Sequence, residues 1–214
     1  MPPTATLEDI KAHQQRIEKN KITPNNLPPC PRCNVESAFF KIHAYRERRF
    51  LIIIEMLIKA VYCSLVRFGC PGCGKTFTHY PDFAIAHKHY TRQTIEGFSR
   101  AYVEDDQKTY EDAVMTDNGV PEDTASGRSL APSSVHRWIG TLAALIIANQ
   151  DALKKSLQEK GAAQLCRQPA LMQIAKKKYK TYHRRHCLLR CRWFFKIQAV
   201  FKKSAFTEFE IKSV

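Results

Sequence analysis

The sequence predicts an α+β protein in which a β region held by cysteines comes first and an all-helical region follows. Two paired cysteine motifs flank a segment rich in β-branched and aromatic residues, which favours strands between residues 38 and 78. From Thr91 onward the apolar residues recur at intervals of three and four, which is typical of amphipathic helices. The 214 residues, 44% of them hydrophobic, suffice for one ordinary domain or two small ones.

The first region begins with an expected helix over residues 6–20, because Leu7, Ile10 and Ile17 fall on one stripe. A linker rich in proline and asparagine follows it. Residues 50–60 fit either a strand or a helix. Strands are expected in three places, which are residues 38–45, residues 61–68 and a short segment from Phe77.

The helical region is expected to begin with a helix that carries Ile95, Phe98 and Tyr102 on one face. A polar loop with several glycines and prolines is expected over residues 116–130. One long helix should start at Pro132, a favoured first-turn residue, and keep one apolar face as far as Leu157. Two further helices are expected, over residues 107–115 and residues 169–203.

The motifs Cys30-Pro-Arg-Cys33 and Cys70-Pro-Gly-Cys73-Gly74 predict a metal site. A Cys-x-x-Cys turn presents two thiolates from one bend, and zinc takes four such ligands in a tetrahedron. Gly74 allows the positive φ that the turn often needs. Because 36 residues separate the pairs, the intervening hairpin must be long or carry an insertion. A closed four-thiolate site leaves no open position, so one structural zinc ion is the expected cofactor.

Two alternatives use the same cysteines. A rubredoxin-like site would hold iron in place of zinc, and a redox dithiol would need a single pair. Four more residues, on the last expected helix, resemble a second ligand set, although a basic helix with incidental histidines and cysteines is the favoured interpretation. These residues are His183, His186, Cys187 and Cys191.

The expected division of the chain has four parts. Residues 1–27 form an N-terminal helix and linker, and residues 28–85 form an N-terminal β zinc ribbon. Residues 90–160 form a helical domain like a helix-turn-helix, and residues 161–214 form a basic helical tail. The compact helix-turn-helix has a turn of three or four residues, whereas the loop expected before Pro132 is much longer.

The charge of the chain indicates a polyanionic partner. The formal net charge is +14, from 34 Lys and Arg against 20 Asp and Glu. Residues 166–214 hold 13 basic and two acidic residues, whereas residues 104–123 hold eight acidic residues and one lysine. Such an excess attracts DNA, RNA or anionic lipid.

The helix from Pro132 is the expected reader of double-stranded DNA. Its start is small and polar, so backbone amides and hydroxyls can approach phosphates. Val135, Trp138 and Ile139 are expected to anchor it, and Arg137 is the expected contact to a base or phosphate. The expected DNA contacts on this helix are Ser133, Ser134, His136 and Arg137. Those in the tail are Lys176, Lys177, Lys178, Arg184 and Arg185.

The order of these segments resembles a known family. Cys30-Pro-Arg-Cys33 is followed by Arg67-Phe-Gly-Cys-Pro-Gly-Cys-Gly-Lys-Thr-Phe-Thr78, then by Tyr80-Pro-Asp-Phe83 and by Ser133-Ser-Val-His-Arg-Trp-Ile139. This order is similar to that of prokaryotic transposase-associated zinc-ribbon proteins with a helix-turn-helix, over roughly residues 28–145. The resemblance implies DNA binding at mobile-element sequences. Further partners would be a transposase or a second copy of the chain.

An enzyme is not expected. The carboxylates of residues 104–123 lack the flanking strands of a two-metal nuclease, which is the enzymatic alternative. The cysteine motifs and the excess of basic residues are also compatible with a zinc-ribbon transcription regulator or with an RNA-binding protein. The basic tail is also compatible with attraction to anionic lipid. No signal peptide and no apolar run of about 18 residues is visible. A cytoplasmic, nucleoid-associated protein without membrane attachment is therefore expected.

Overall fold

The fold is mixed α+β, as the sequence predicts. The computed structural model describes residues 7–30, 32–167, 181–198 and 200. These fall into two compact units. We call residues 7–54 and 58–94 the cysteine unit, because all four paired cysteines lie in it. Residues 55–57, together with the described residues from 95 onward, form the helical unit. No helix of the described residues is long and apolar enough to cross a membrane.

The cysteine unit is built on one long β-hairpin. Strand β1 spans Lys41–Ile54 and β2 spans Leu57–Gly69, with Glu55 and Met56 between them. Both turn residues have positive φ, 48° and 68°, which is typical of the tight turn that joins two antiparallel strands. The hairpin accounts for the 36 residues between the cysteine pairs without an insertion. The ambiguous residues 50–60 are strand on both sides of the turn at Glu55 and Met56.

A third strand closes the cysteine end of the hairpin. Strand β3, Thr76–Thr78, pairs antiparallel with β2, and Phe68 lies opposite Phe77. The first strand starts three residues later than expected, because Ser37–Phe39 forms a 3-10 turn. Another 3-10 turn, Pro24–Asn26, lies in the linker.

Helix α1, Leu7–Glu18, packs on the hairpin through two buried isoleucines. Ile10 joins the cluster of Phe50, Ile52 and Leu65, whereas Ile17 joins the cluster around the cysteines. The helix therefore belongs to the same compact unit as the cysteine motifs.

Gln14, which lies between Ile10 and Ile17 on α1, accepts a hydrogen bond from the backbone N–H of Ser64 at 3.1 Å. Beyond this point of β2 the buried positions shift from Cys63 and Leu65 to Val66 and Phe68. A shift of this kind is typical of a β-bulge.

The helical unit contains five helices among its described residues. Helix α2, Arg92–Glu104, enters the unit at Ile95, and the others are α3, Tyr110–Val114, α4, Pro132–Ala148, α5, Gln150–Glu159, and α6, Tyr182–Gln198. A 3-10 turn, Ala163–Cys166, follows α5.

The region is not all-helical, which corrects the expectation for residues 116–130. Glu122–Asp123 and Arg128–Ser129 form two short antiparallel strands, β4 and β5, and β4 also pairs with Leu57. The Asp123 carboxylate accepts hydrogen bonds from the amide of Ala125 and the hydroxyl of Ser126, which closes the turn. Strands of two residues produce no alternation that sequence patterns can detect.

The single long helix expected from Pro132 is wrong, because it breaks at Asn149. The backbone of Asn149 leaves the helical region, at φ −113° and ψ 11°, and its side-chain amide donates to the carbonyl of Leu145. An asparagine side chain competes with the helix for such carbonyls. Leu153 and Leu157 remain fully buried on α5, so the apolar face continues across the break.

Helix α6 packs against α4 in the core of the helical unit. It buries Trp193, Phe194 and Ile197, and Trp193 donates through Nε1 to the carbonyl of Leu165 at 2.6 Å. Residues 181–198 thus belong to the same compact unit as α4. The remainder of the expected helix over 169–203 lies outside the described residues.

Candidate metal centre

The two cysteine motifs adopt the same backbone turn. In the first, the amide of Asn34 donates to the carbonyl of Cys30 at 2.8 Å, and in the second Gly74 donates to Cys70 at 3.0 Å. Asn34 and Gly74 both have positive φ, 59° and 66°. Each turn therefore directs both of its sulfurs toward one side, as a metal knuckle requires. The positive φ expected at Gly74 is confirmed.

A further backbone bond closes each knuckle. The amide of Cys30 donates to the carbonyl of Val35, and the amide of Cys70 donates to Lys75, both at 2.8 Å. Sequence inspection missed Asn34, although asparagine is one of the few residues that adopts positive φ readily, and its place after the second cysteine is a usable signal.

The four sulfurs converge closely enough to hold a metal ion. All four lie within 4.8 Å of one another. The Cys30 and Cys73 sulfurs are 3.7 Å apart, and those of Cys33 and Cys70 are 3.4 Å apart. Four sulfurs at about 2.3 Å from a tetrahedral zinc ion would lie about 3.8 Å from one another. The donor set and its spacing therefore fit one tetrahedral metal ion.

The centre lies in an apolar cluster at the cysteine end of the hairpin. Cys30 and Cys70 are buried, Cys73 is half-buried and Cys33 is exposed. Phe77 packs in the same cluster, with its ring 4.8 Å from the ring of Phe40. Apolar surroundings exclude water from two of the four sulfurs, which strengthens the interaction of thiolates with a cation.

The pKa values of two of these thiols are shifted in opposite directions. The pKa of Cys30 is lowered to about 6, because the backbone amides of Arg32 and Cys33 donate to its sulfur. For Cys33 the amide of Val35 also favours the thiolate, but the neighbouring sulfurs, with Cys70 foremost, and burial together raise its pKa to about 12. Thiolates this close repel one another, so all four can ionise together only when a cation compensates their charge.

Gly72 shows how tightly the knuckles approach. A Cβ atom on Gly72 would lie 2.7 Å from a methyl carbon of Val35 and 3.3 Å from the sulfur of Cys33. The second knuckle thus lies against the first at a distance that only glycine permits. The constraint arises from tertiary contact and is not visible in the motif itself.

The possible second ligand set does not assemble. Cys187 and His183 are 3.5 Å apart, but Cys191 is fully buried and donates to the carbonyl of Ile139, and His186 packs on Tyr182. Among the described ranges, no group of three potential ligands converges outside the four paired cysteines.

Cys63, outside both motifs, is a buried strand residue. It packs in the cluster of Phe50 and Leu65, and burial raises the pKa of its thiol to about 11. It has the environment of an apolar core residue, as its place in the predicted strand suggests.

The expected DNA contacts on α4 divide by exposure. Val135, Trp138 and Ile139 are buried, as predicted, whereas Ser133, His136 and Arg137 are exposed and Ser134 is half-buried. Arg137 lies 3.5 Å from the hydroxyl of Ser134 on its own helix. The pKa of His136 is lowered by partial burial and by the nearby charges of Arg184 and Arg137. These effects favour the neutral form of His136.

Arg184, expected as a DNA contact in the tail, is engaged within the helical unit. It donates to the carbonyl of His136 at 3.2 Å and to the hydroxyl of Tyr110, and its guanidinium lies over the Tyr110 ring. Arg185 is exposed. Lys176, Lys177 and Lys178 lie outside the described residues.

Several acidic side chains of residues 104–123 serve local structure. Asp112 forms a capping box with Thr109 at the start of α3, which lowers the pKa of its carboxyl. Asp106 forms an ion pair with Arg192 at 3.3 Å. These contacts give the two carboxylates structural roles that do not require a metal.

The comparisons with known proteins return nothing. No family model, no curated protein and no solved structure matches the chain. The function of the centre is therefore inferred from its own residues and geometry.

Proposed function

We propose that the chain is a zinc-ribbon protein that binds double-stranded DNA. One zinc ion on Cys30, Cys33, Cys70 and Cys73 would fix the cysteine end of the hairpin, and α4 would contact DNA. The observation that carries the DNA part is the division of the first two turns of α4 into a buried apolar side and an exposed polar side with Arg137. The excess charge of +14 supplies the attraction.

Zinc suits this donor set for two reasons. Four thiolates in a tetrahedral arrangement are typical of zinc or iron–sulfur sites, and zinc needs no redox partner. Because all four positions would be taken by cysteine, the ion would have a structural role. Metal binding in such sites is coupled to folding, since the ligands converge only in the folded chain.

Metal analysis tests this part directly. Protein purified under reducing conditions should contain about one zinc ion per chain. The Cys30→Ser/Cys70→Ser variant should contain none, whereas Cys63→Ser should keep it, because Cys63 lies outside the centre. Iron in place of zinc, with strong visible absorption, would instead indicate a rubredoxin-like centre. Protein that is folded but contains no metal would reject the site.

The start of α4 offers one backbone donor as well as side chains. Ala131, which precedes the helix, provides no side-chain cap. Pro132 has no backbone N–H, and the amide of Ser134 donates to the carbonyl of Ala131 at 2.9 Å. The amide of Ser133 is therefore the first-turn donor left for a phosphate, which the positive end of the helix dipole also attracts. Ser133 and Arg137 add polar groups on the exposed side.

The connection before α4 differs from a compact helix-turn-helix. Residues 115–131, with the hairpin of β4 and β5, separate α3 from α4. The proposal therefore assigns DNA contact to α4 without requiring the short turn of that motif. Sequencing of fragments selected from random duplex DNA tests it, and selection without any shared sequence would reject specific reading.

The relation to mobile genetic elements, with a transposase or a second copy as partner, is based on the order of motifs and stays a prediction. Competition between duplex DNA and structured RNA separates the leading proposal from the RNA-binding alternative.

Tail lysines should be tested by replacing Lys176, Lys177 and Lys178 with glutamine, because deletion from residue 166 would also remove the buried face of α6. A reduced salt dependence of DNA binding would support their contact with phosphates.

A further inference from the structure

One face of the long hairpin is exposed along most of β1. In a strand, alternate side chains point to opposite faces. Among the even-numbered residues, Phe50 and Ile52 are buried and Arg48 turns inward, donating to the hydroxyl of Tyr80 at 2.8 Å, whereas Ile42 and Arg46 are exposed. The odd-numbered residues from 41 to 49 are all exposed and lie on the opposite face.

Tyr62 of β2 belongs to that same exposed face. Its neighbour Cys63 packs in one cluster with Phe50 and Ile52, so Tyr62 points away from that cluster. We call the outer face the set of Lys41, His43, Tyr45, Glu47, Arg49 and Tyr62.

The outer face carries two tyrosines with unusually accessible rings. Tyr45 is 47% exposed and Tyr62 is 60% exposed, and neither has a hydrogen bond or ring contact among the described residues. Large exposed aromatic side chains on a strand mark a surface that contacts a partner, since burial in a complex would be favourable.

Protection of a strand edge does not explain this composition. Charged residues on an exposed strand discourage pairing with other chains, which would account for Lys41 and Arg49. The same purpose would disfavour Tyr45 and Tyr62, because exposed aromatic residues promote association. The combination of cations and aromatic rings therefore needs a ligand with both negative charge and flat apolar surfaces.

We propose that the outer face binds single-stranded DNA. Unpaired bases would stack on Tyr45 and Tyr62, and Lys41 and Arg49 would neutralise the phosphates between them. The inference rests on the proposed function in that its ligand is nucleic acid, but it assigns a different site and a different form of DNA. A sheet surface with aromatic platforms and adjacent cations is typical of proteins that bind unpaired strands.

Duplex DNA fits the outer face less well. The flat sides of bases are covered by their neighbours within a duplex, so the tyrosine rings would have nothing to stack on. A second copy of the chain also fits poorly. The cations Lys41 and Arg49 outnumber the carboxylate Glu47 on the outer face, so two such faces would bring positive charges together.

The test measures fluorescence anisotropy of the full-length, zinc-loaded protein with two probes. One probe is an oligothymidine of about 20 nucleotides, and the other is a blunt duplex of the same length. Tyr45→Ala and Tyr62→Ala should each weaken binding of the single strand about fivefold or more. Tyr45→Phe and Tyr62→Phe should retain it, because the ring remains.

Tyr182→Ala is the matched control. Tyr182 is 70% exposed but lies on α6 in the helical unit, so its loss should leave binding of the single strand unchanged. Duplex binding should be unaffected by the hairpin variants and should instead respond to Arg137→Ala. Circular dichroism and zinc content of every variant should match those of the parent.

The outcomes separate the inference from the proposed function. Single-strand binding that is unchanged in the Tyr45→Ala/Tyr62→Ala variant overturns the inference, whether or not duplex binding depends on Arg137. Loss of single-strand binding in that variant supports it even if Arg137→Ala has no effect on the duplex. Binding of an oligouridine about tenfold tighter than the oligothymidine would overturn the assignment to DNA and indicate RNA.

Discussion

Asn34 and Gly74 occupy equivalent places in the two metal knuckles. Each follows the second cysteine of its pair, each has positive φ, and each donates its backbone N–H to the carbonyl of the first cysteine. The sequence differs at this place, but the backbone does not. The second knuckle uses glycine and the first uses the residue that tolerates the same conformation best among those with a side chain.

The first prediction is that Gly74→Asn is tolerated and Gly74→Val is not. A side chain at Gly74 meets no atom within 4 Å, so the cost is that of the backbone conformation alone. That cost is about 1–2 kcal/mol for an ordinary residue, more for a β-branched one and less for asparagine. The free energy of unfolding of zinc-loaded protein measures it. Asn34→Gly is the matched control, and a destabilising effect of Gly74→Asn as large as that of Gly74→Val would contradict the equivalence.

A second prediction concerns the close approach of Gly72. Gly72→Ala should weaken metal affinity, because the new methyl group would clash with Val35 and press on the sulfur of Cys33. The double variant Gly72→Ala/Val35→Ala should recover most of the affinity, since the closest atom is then removed. Competition with a chromogenic zinc chelator gives both values. Equal losses in the single and double variants would show that the contact with Val35 is not the cause.

Removal of the metal should act on the two units unequally. Chelation is expected to unfold residues 28–80 and to leave much of the helical unit folded, because metal binding and folding are coupled in the cysteine unit. Hydrogen exchange resolves the two regions. Fast exchange after chelation is expected in β2, whereas α4 should remain protected, and equal loss of protection in both would contradict this prediction.

The stability of the cysteine unit should fall on acidification through His13. This residue is buried on α1, its ring packs on Phe83, and its Nε2 has no hydrogen-bond partner within the described residues. Burial, with the charges of Arg16 and His79, lowers its pKa from 6.5 to about 4. Between pH 6.5 and 4 the unfolded chain therefore binds a proton at His13 that the folded chain does not bind. The stability associated with neutral His13 is therefore fully present above pH 6.5 and is lost as the pH falls from 6.5 toward 4.

Denaturant unfolding of zinc-loaded protein at about pH 7 and pH 5 measures this effect, which should be on the order of 1 kcal/mol. His13→Leu is the comparison, because it removes the titrating group and places an apolar side chain in the buried position. Acidic release of zinc affects both proteins alike, so the difference between them isolates His13. An equal loss of stability in the parent and the variant would exclude this role. The pKa of His79 is also lowered by burial, so the variant should retain part of the pH dependence.

Arg137 and Arg184 are expected to behave differently on substitution. Arg137→Ala should fold normally and lose about 1–3 kcal/mol of discrimination between DNA sequences if it contacts a base. Arg184→Ala should instead lower thermal stability, because Arg184 joins α6 to the carbonyl of His136 and the hydroxyl of Tyr110. DNA affinity and melting temperature of the two variants, measured together, distinguish the roles.

Trp138→Ala is the control for a purely structural effect. The ring of Trp138 is 5% exposed and packs near Phe98, so its loss should cost roughly 3–5 kcal/mol of stability. If Arg137→Ala folds normally and binds selected DNA as tightly as the parent, α4 is a core helix and the assignment to DNA contact is wrong.

The α+β class, the four converging cysteines and the buried face of α4 were all predictable from the sequence. Each depends on a local pattern. A Cys-x-x-Cys turn specifies its own geometry. Apolar residues that recur at intervals of three and four residues specify a buried helix face, which includes Val135 and Trp138, wherever the helix packs. The break at Asn149 and the strands β4 and β5 escaped prediction, because a single-residue break and two-residue strands leave the apolar period unchanged.

The sequence by itself determined which cysteines form the two paired motifs and which side of each helix is apolar, because those properties reside in neighbouring residues. Only the tertiary structure decided what those residues meet. It brought two knuckles 36 residues apart into contact at Gly72, and it placed the basic helix α6 in a core with Trp193 buried. It also engaged Arg184 and left Tyr45 and Tyr62 exposed. Burial depends on contacts between distant segments, and charge or aromatic character alone does not specify whether a side chain will face a ligand or the core.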